Sequence, residues 1–251
     1  MARAAVSFPS RMNDPRHSVA LYGGTFDPVH LGHLAVARAA AERFELERVY
    51  FVPADVQPLK AQQKVTNFYH RYAMLALALE GEKRFVPSLL EAPGVVRASG
   101  AVASYTIDTI RRMRTRLTSE TRLYFLMGMD AFLQVAKWRS PVELLRAAEF
   151  VIASRPGFPL KDVVQALPRE LRPDEAGARR LLETGSLETN GATLHLQPDV
   201  DEDVSATAIR EAARQGAGLG ELVPRSVADY IMKLKIYGEE EEPGSPELGR
   251  V

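Results

Sequence analysis

The sequence has 251 residues, 46% of them apolar and 25% charged, which suits a soluble α/β chain with a sizeable core. Lysine plus arginine equals aspartate plus glutamate at 32 each, so the zero net charge argues against bulk binding to nucleic acid or an anionic membrane. No cysteine is present, which excludes disulfides, thiolate metal sites and a cysteine nucleophile.

Residues 1–17 carry Arg3, Arg11 and Arg16 without the apolar core of a secretory signal, and are expected to form a disordered leader. The chain is then organised around residues 18–34. Val19 to Tyr22 reads as a buried strand, Gly23 and Gly24 as a turn too tight for side chains, and a helix is expected from near Pro28 through Phe44. Glycines let backbone N–H groups approach an anion, and a helix start adds unpaired donors and the positive end of a dipole. His30 and His33, three residues apart, should share one face there. Two imidazoles beside an anion site suggest phosphoryl or nucleotidyl chemistry.

Arg48 to Pro53 reads as a second strand, and the loop from Ala54 to Asn67 carries Lys60. Aliphatic spacing predicts a helix over Arg71 to Leu79, then a strand between Arg84 and Leu90. A glycine- and alanine-rich link, Ala92 to Ala103, leads to a helix capped by Ser104, with Ile107, Ile110, Met113 and Leu117 as its stripe. Leu123 to Met127 is a fully apolar strand ending at Gly128 and Asp130. Short helices to Trp138 and from Pro141 to Ala148 precede a strand from Phe150 to Ser154, which runs into Arg155. Strands alternating with helices imply a doubly wound parallel sheet, with ligands at the carboxyl ends of its strands.

From Phe158 to Asn190 the pattern weakens to two short helices, around Val163 to Leu167 and Ala178 to Leu182. Ala192 to Gln197 is a strand. Val204 to Arg210 then opens a helix that stops at Gly216, capped by Asp203 or Ser205, a second place suited to phosphate. Pro224 starts a last helix with Val227, Ile231 and Leu234 as its stripe. The expected organisation is one domain over 18–237, helical from about 204, followed by an acidic tail over 238–251. No apolar run approaches the roughly 20 residues of a membrane span, and the expected location is cytoplasmic.

Gly-Gly-Thr-Phe-Asp-Pro-Val-His-Leu-Gly-His at 23–33, Ser-Tyr-Thr-Ile-Asp-Thr at 104–109, Met127 to Trp138, Arg155-Pro156-Gly157 and Val204 to Arg210 are five ordered blocks. In them the sequence resembles the bacterial nicotinate mononucleotide adenylyltransferases, of the nucleotidyltransferase superfamily marked by His-x-Gly-His. The resemblance implies a Rossmann-like nucleotidyltransferase fold with a small helical C-terminal part. It implies transfer of AMP from ATP to nicotinate mononucleotide, with Mg²⁺ accompanying ATP, held through phosphates and one or two carboxylates that the sequence does not single out.

Carried over to this chain, the resemblance puts Gly23, Gly24, Thr25 and Phe26 along the nucleotide. His30 and His33 would meet the phosphates together with Lys60, and Gly128 and Asp130 would lie near the ribose. Thr207, Ile209 and Arg210 would lie near adenine and phosphates, with His30, His33 and Arg210 stabilising the charge that develops. Tyr105 and Thr106 would offer backbone donors to the nicotinate carboxylate, Trp138 would stack on the pyridine ring, and Arg155 would support the substrate end. The chain departs from the family at Leu59, where histidine often precedes the lysine, and at Ala206, where a second serine is common. The rival readings are an adenylyltransferase for nicotinamide mononucleotide or phosphopantetheine, and a nucleotide-binding protein without turnover. Oligomeric state stays open.

Overall fold

The computed structural model describes residues 17–55, 65–101, 103–153, 160–197 and 204–238. Its centre is one seven-stranded sheet in the order β3-β2-β1-β4-β5-β7-β6. The strands are β1 (Ser18–Gly24), β2 (Arg48–Pro53), β3 (Phe85–Pro87), β4 (Arg122–Gly128), β5 (Glu149–Ala153), β6 (Ser186–Thr189) and β7 (Ala192–Gln197). All neighbours run parallel except the β6–β7 pair. The strand order reverses between β1 and β4, which is where open α/β sheets bind ligands.

Alternation along β1 explains the two cores. Val19 and Leu21 point to one face, with Leu123, Phe125 and Met127 of β4. There they meet Ile107, Ile110 and Met113 of α4 (Thr106–Arg114) and Leu144 and Leu145 of α6 (Pro141–Ala147). Ala20 and Tyr22 point to the other face, against α1 (Leu31–Arg43), α2 (Phe68–Ala78), α9 (Ala206–Arg214) and α10 (Arg225–Leu234). Strands buried on both faces must read as near-continuous apolar runs, as β1 and β4 do. The remaining helices are α3 (Pro93–Ala98), α5 (Met129–Phe132), α7 (Leu160–Ala166) and α8 (Glu175–Thr184). No described helix is long and apolar enough to cross a membrane.

Several local expectations are corrected. Gly23 and Gly24 form no turn: they are the last residues of β1, in register with Val52 and Pro53. Helix α1 begins at Leu31, after a turn through Phe26 at φ +51°; the Asp27–Pro28 peptide is cis. The third strand is shorter than expected and stops at Pro87, with one further bond from the Ser88 N–H to Phe51 O at 2.8 Å. The link at 92–103 holds α3, entered through Pro93, whose fixed φ suits a first helical position. Tyr105, not Ser104, occupies the N-cap of α4, and Leu117 packs beyond its C-terminus. Leu234 is 47% exposed, and Ala228 completes the buried stripe of α10 instead.

The largest miss lies before β7. Ser186 to Thr189 pairs with β7 as a hairpin through Asn190 and Gly191, both at positive φ. An Asn-Gly pair between alternating residues is the sequence signal for such a two-residue turn. A polar staple closes the hairpin against the sheet: His195 contacts Ser186 Oγ at 2.9 Å and Glu149 at 3.0 Å, and Arg122 donates to both oxygens of Glu149. These donors outweigh burial and hold the Glu149 carboxyl below its ordinary range.

Candidate active site

The site is built at the carboxyl end of β1. A Cβ on Gly23 would lie 2.7 Å from Cζ of the buried Phe125 ring, and one on Gly24 would lie 2.9 Å from Cζ of Phe26. Both glycines are therefore required by packing, whatever approaches them from outside. Phe26 is 1% exposed and wedged by Tyr22, Phe51 and His33, with ring centroids 5.0 to 5.7 Å away. A left-handed phenylalanine is strained by roughly 1–2 kcal/mol and persists only where its surroundings over-determine it. That packing turns the backbone sharply and delivers Asp27 to His30 alongside the start of α1.

His30 stands at the N-cap of α1 and His33 at the third helical position. Their rings lie 3.7 Å apart between centroids, tilted by 32°. His33 Nδ1 accepts from the His30 backbone N–H at 3.3 Å, so the neutral ring carries its proton on Nε2. His33 thus presents a donor of fixed tautomer, as an anion site requires. The helix start itself offers less than the sequence suggests: the Leu31 N–H donates to Leu222 O at 3.0 Å and that of His33 to His30 O at 3.0 Å. Side chains therefore carry more of any anion recognition at α1 than its dipole alone would.

Arg210 reaches this corner from α9. Its Nη1 donates to Asp27 O at 2.8 Å and its Nη2 to Thr207 Oγ1 at 3.2 Å, which brings Thr207, Arg210 and the histidine segment together. Ile209 points the other way and is fully buried in the core, so only its backbone is left for a nucleotide. Ser205 occupies the N-cap of α9 without a capping side-chain bond. Arg71, which sequence reading passed over, is 2% exposed and satisfies Thr25 O at 2.7 Å and Thr66 O at 2.8 Å. Burial draws its guanidinium below the ordinary range, opposed first by Asp27. Arg71 also lines a cavity of about 460 Å³ shared with Asp55, Asn67 and Arg97 at the entrance to α2.

The neighbouring strand end is more open. Gly128 caps β4, is exposed, and would meet nothing within 4 Å if it carried a Cβ. No packing demand keeps that position small. Asp130 follows, exposed in the first turn of α5. Tyr105 and Thr106 open α4, and the Arg139 guanidinium lies 4.7 Å over the Tyr105 ring. Trp138 is half-buried against the same core. Beneath α4, Glu91 is 8% exposed and accepts from Thr109 Oγ1 at 2.7 Å. Burial raises its carboxyl above the ordinary 4.5, opposed by bonds from Thr109 and Ser104.

Of the residues expected from sequence, Gly23 to Phe26, His30, His33, Thr207 and Arg210 form one group at the end of β1. Gly128 ends β4 and Asp130 and Trp138 follow it, while Tyr105 and Thr106 open α4. Lys60, Arg155 and Asp203 lie outside the described residues, as do 1–16 and 239–251. Sequence reading missed Arg71, Glu91, Arg139 and the bonding role of Asp27. An arginine inside an apolar helical run and a glutamate before Ala-Pro-Gly were the available signals.

The cytidylyltransferase-like family model matches residues 21–212. A relative in Thermoanaerobacter sp. (strain X514), named "Probable nicotinate-nucleotide adenylyltransferase", is 36% identical over 224 residues, covering 89% of this chain and 96% of its own. One of the same name in Pelobacter propionicus is 35% identical, covering 88% and 98%. Among solved structures, a Plasmodium falciparum nicotinic acid mononucleotide adenylyltransferase complexed with NaAD shares the fold, with a TM-score of 0.64 at 16% identity over 88% of this chain and 97% of that one. By its matched length and its relatives, the chain belongs to the cytidylyltransferase-like family.

Proposed function

We propose that the chain transfers the AMP unit of ATP to nicotinate mononucleotide, giving nicotinate adenine dinucleotide and pyrophosphate, a step of NAD biosynthesis. The observation that carries this reading is the closely packed pair of His30 and His33 beside Arg210 at the end of β1. It joins the names of relatives that align over nearly their full length. The acceptor's own phosphate attacks the α-phosphorus in line, so the protein needs no nucleophile. Positioning and stabilisation of charge are what remain for the chain to supply.

His33 donates from Nε2, and with His30 and Arg210 it neutralises charge growing on the departing pyrophosphate. Gly23 to Phe26 bear on the nucleotide, with Lys60 on its phosphates. Gly128 and Asp130 serve its ribose, and Thr207 the adenine side. Tyr105 and Thr106 take the nicotinate carboxylate through backbone N–H groups at the start of α4, Trp138 stacks on the ring, and Arg155 supports that end. Arg139, resting on Tyr105 and paired with Asp108 at 3.6 Å, offers further guanidinium donors there, which suit an acid better than an amide. Residues 18–237 act in this reading as one unit, since α9 and α10 pack on the same sheet as α1.

Among the described residues no group of three or more His, Asp or Glu side chains could cage a metal. The Mg²⁺ ion enters on the triphosphate, the usual mode for a cation that keeps its waters. Bound there, Mg²⁺ would neutralise phosphate charge.

The test is pyrophosphate release from Mg-ATP with nicotinate mononucleotide, nicotinamide mononucleotide and phosphopantetheine offered separately. Strong release with the nicotinate acceptor alone supports the reading. Preference for another acceptor overturns the roles of Tyr105, Thr106, Trp138 and Arg139, and silence with all three favours a binding protein.

A further inference from the structure

The backbone segment that carries the site is gripped from outside by side chains of three other segments, and one of these grips has no part in the chemistry. Asp27 is 7% exposed, and each of its carboxylate oxygens takes a donor. Oδ2 accepts from the Thr66 backbone N–H at 3.0 Å, and Oδ1 accepts from the Tyr237 hydroxyl at 2.8 Å. Tyr237 follows α10, is itself 7% exposed, and has the Thr66 hydroxyl and the Arg210 and Arg71 charges among its polar neighbours. Burial, then Asp27, pushes its phenol far above the ordinary range, so it stays a donor. The loop before α10 adds a second hold, since Leu222 O takes the N–H of Leu31 at the start of α1.

We propose that Tyr237 is a positioning residue for the nucleotide site: through Asp27 it fixes the Thr25–His30 segment, so the C-terminal segment completes the ATP site. The proposal rests on the reading that ATP binds along Gly23 to His33. A phenol bonded to a buried carboxylate is suited to the task, because a lost partner leaves that oxygen unsatisfied and frees the turn to shift. A shift of about 1 Å in a positioned group is enough to change rates substantially. The acceptor end, at α4 and Trp138, is not held by this contact and should not feel its loss.

The test compares Tyr237→Phe with Tyr230→Phe. Tyr230 lies in the same C-terminal segment and bonds His70 at 2.9 Å, and it has no bond to Asp27. Binding of α,β-methylene ATP is measured by calorimetry, and turnover with nicotinate mononucleotide is measured alongside. For Tyr237→Phe the expected result is about a tenfold rise in Kd for the analogue, with acceptor KM changed by less than about twofold. Tyr230→Phe should leave both unchanged. An unshifted Kd in Tyr237→Phe, or equal weakening in both variants, overturns the proposal. If Tyr237→Phe does not fold, Asp27→Ala, which removes the oxygen that Tyr237 bonds, replaces it. The same rise is expected there, and an unchanged Kd overturns the idea. If the wild type binds the analogue but releases no pyrophosphate, the reaction reading fails while the Kd comparison still decides the role of Tyr237.

Discussion

The two ends of the site are held in opposite ways. At the end of β1, Phe26 is locked by three rings, and the backbone of residues 25–27 is bonded by Arg71 and Arg210 while the Asp27 carboxylate is bonded by Tyr237. After β4, Gly128 and Asp130 are exposed, Trp138 is half-buried, and Arg139 meets Tyr105 from solvent. A group that stabilises developing charge acts only if it is already in place, whereas an acceptor can be gathered by surfaces that close on it. In the proposed function the rigid end takes the nucleotide's phosphates and its leaving group, and the open end takes the ribose, through Gly128 and Asp130, and the acceptor.

The sharpest way to break this comparison is His33→Ala. It should lower kcat by a few hundredfold, about 2.7–4 kcal/mol as for a lost oxyanion donor, in steady-state turnover. A fall of less than about threefold would remove His33 from the chemistry. The next contrast pairs two glycines. Gly24→Ala forces a Cβ to 2.9 Å from the locked Phe26 ring and should destabilise the fold by about 1–3 kcal/mol in urea denaturation. Gly128→Ala has open space around it and should leave stability within about 0.5 kcal/mol while weakening nucleotide binding.

Trp138→Ala probes the open end. Losing a stacked ring should raise the acceptor KM by roughly tenfold, within the 1–3 kcal/mol of base stacking, and leave the KM for ATP alone. Equal effects on both substrates would place Trp138 in the core rather than on the ring.

The smallest effect concerns Glu91, whose folded pKa is raised from 4.5 chiefly by burial. The folded state then keeps a proton that the unfolded chain releases. The contribution of Glu91 to stability is full below pH 4.5 and is lost as pH rises through the folded value. Glu91→Gln should remove that slope in a series of melting temperatures against pH. An unaltered slope would show that Glu91 is not its source.

The sheet was legible because its central strands are buried on both faces, and Val19 to Tyr22 and Leu123 to Met127 announce themselves as apolar runs. The histidine pair was legible from spacing and from its motif. What sequence hid depends on contacts between distant segments. Nothing near Gly23 says that Phe125 fills the space above it, and nothing near Asp27 announces Tyr237, 210 residues away. The role of Leu222 in taking the Leu31 N–H is hidden for the same reason. The β6–β7 hairpin was readable and overlooked, since Asn190-Gly191 carries its own signal.

The most direct test follows the label from ATP radiolabelled at the α-phosphorus, with nicotinate mononucleotide as acceptor and an acid quench. The account predicts label in the dinucleotide in step with pyrophosphate, and none fixed to the protein. Labelled protein, or labelled AMP without dinucleotide, would contradict direct transfer to the acceptor.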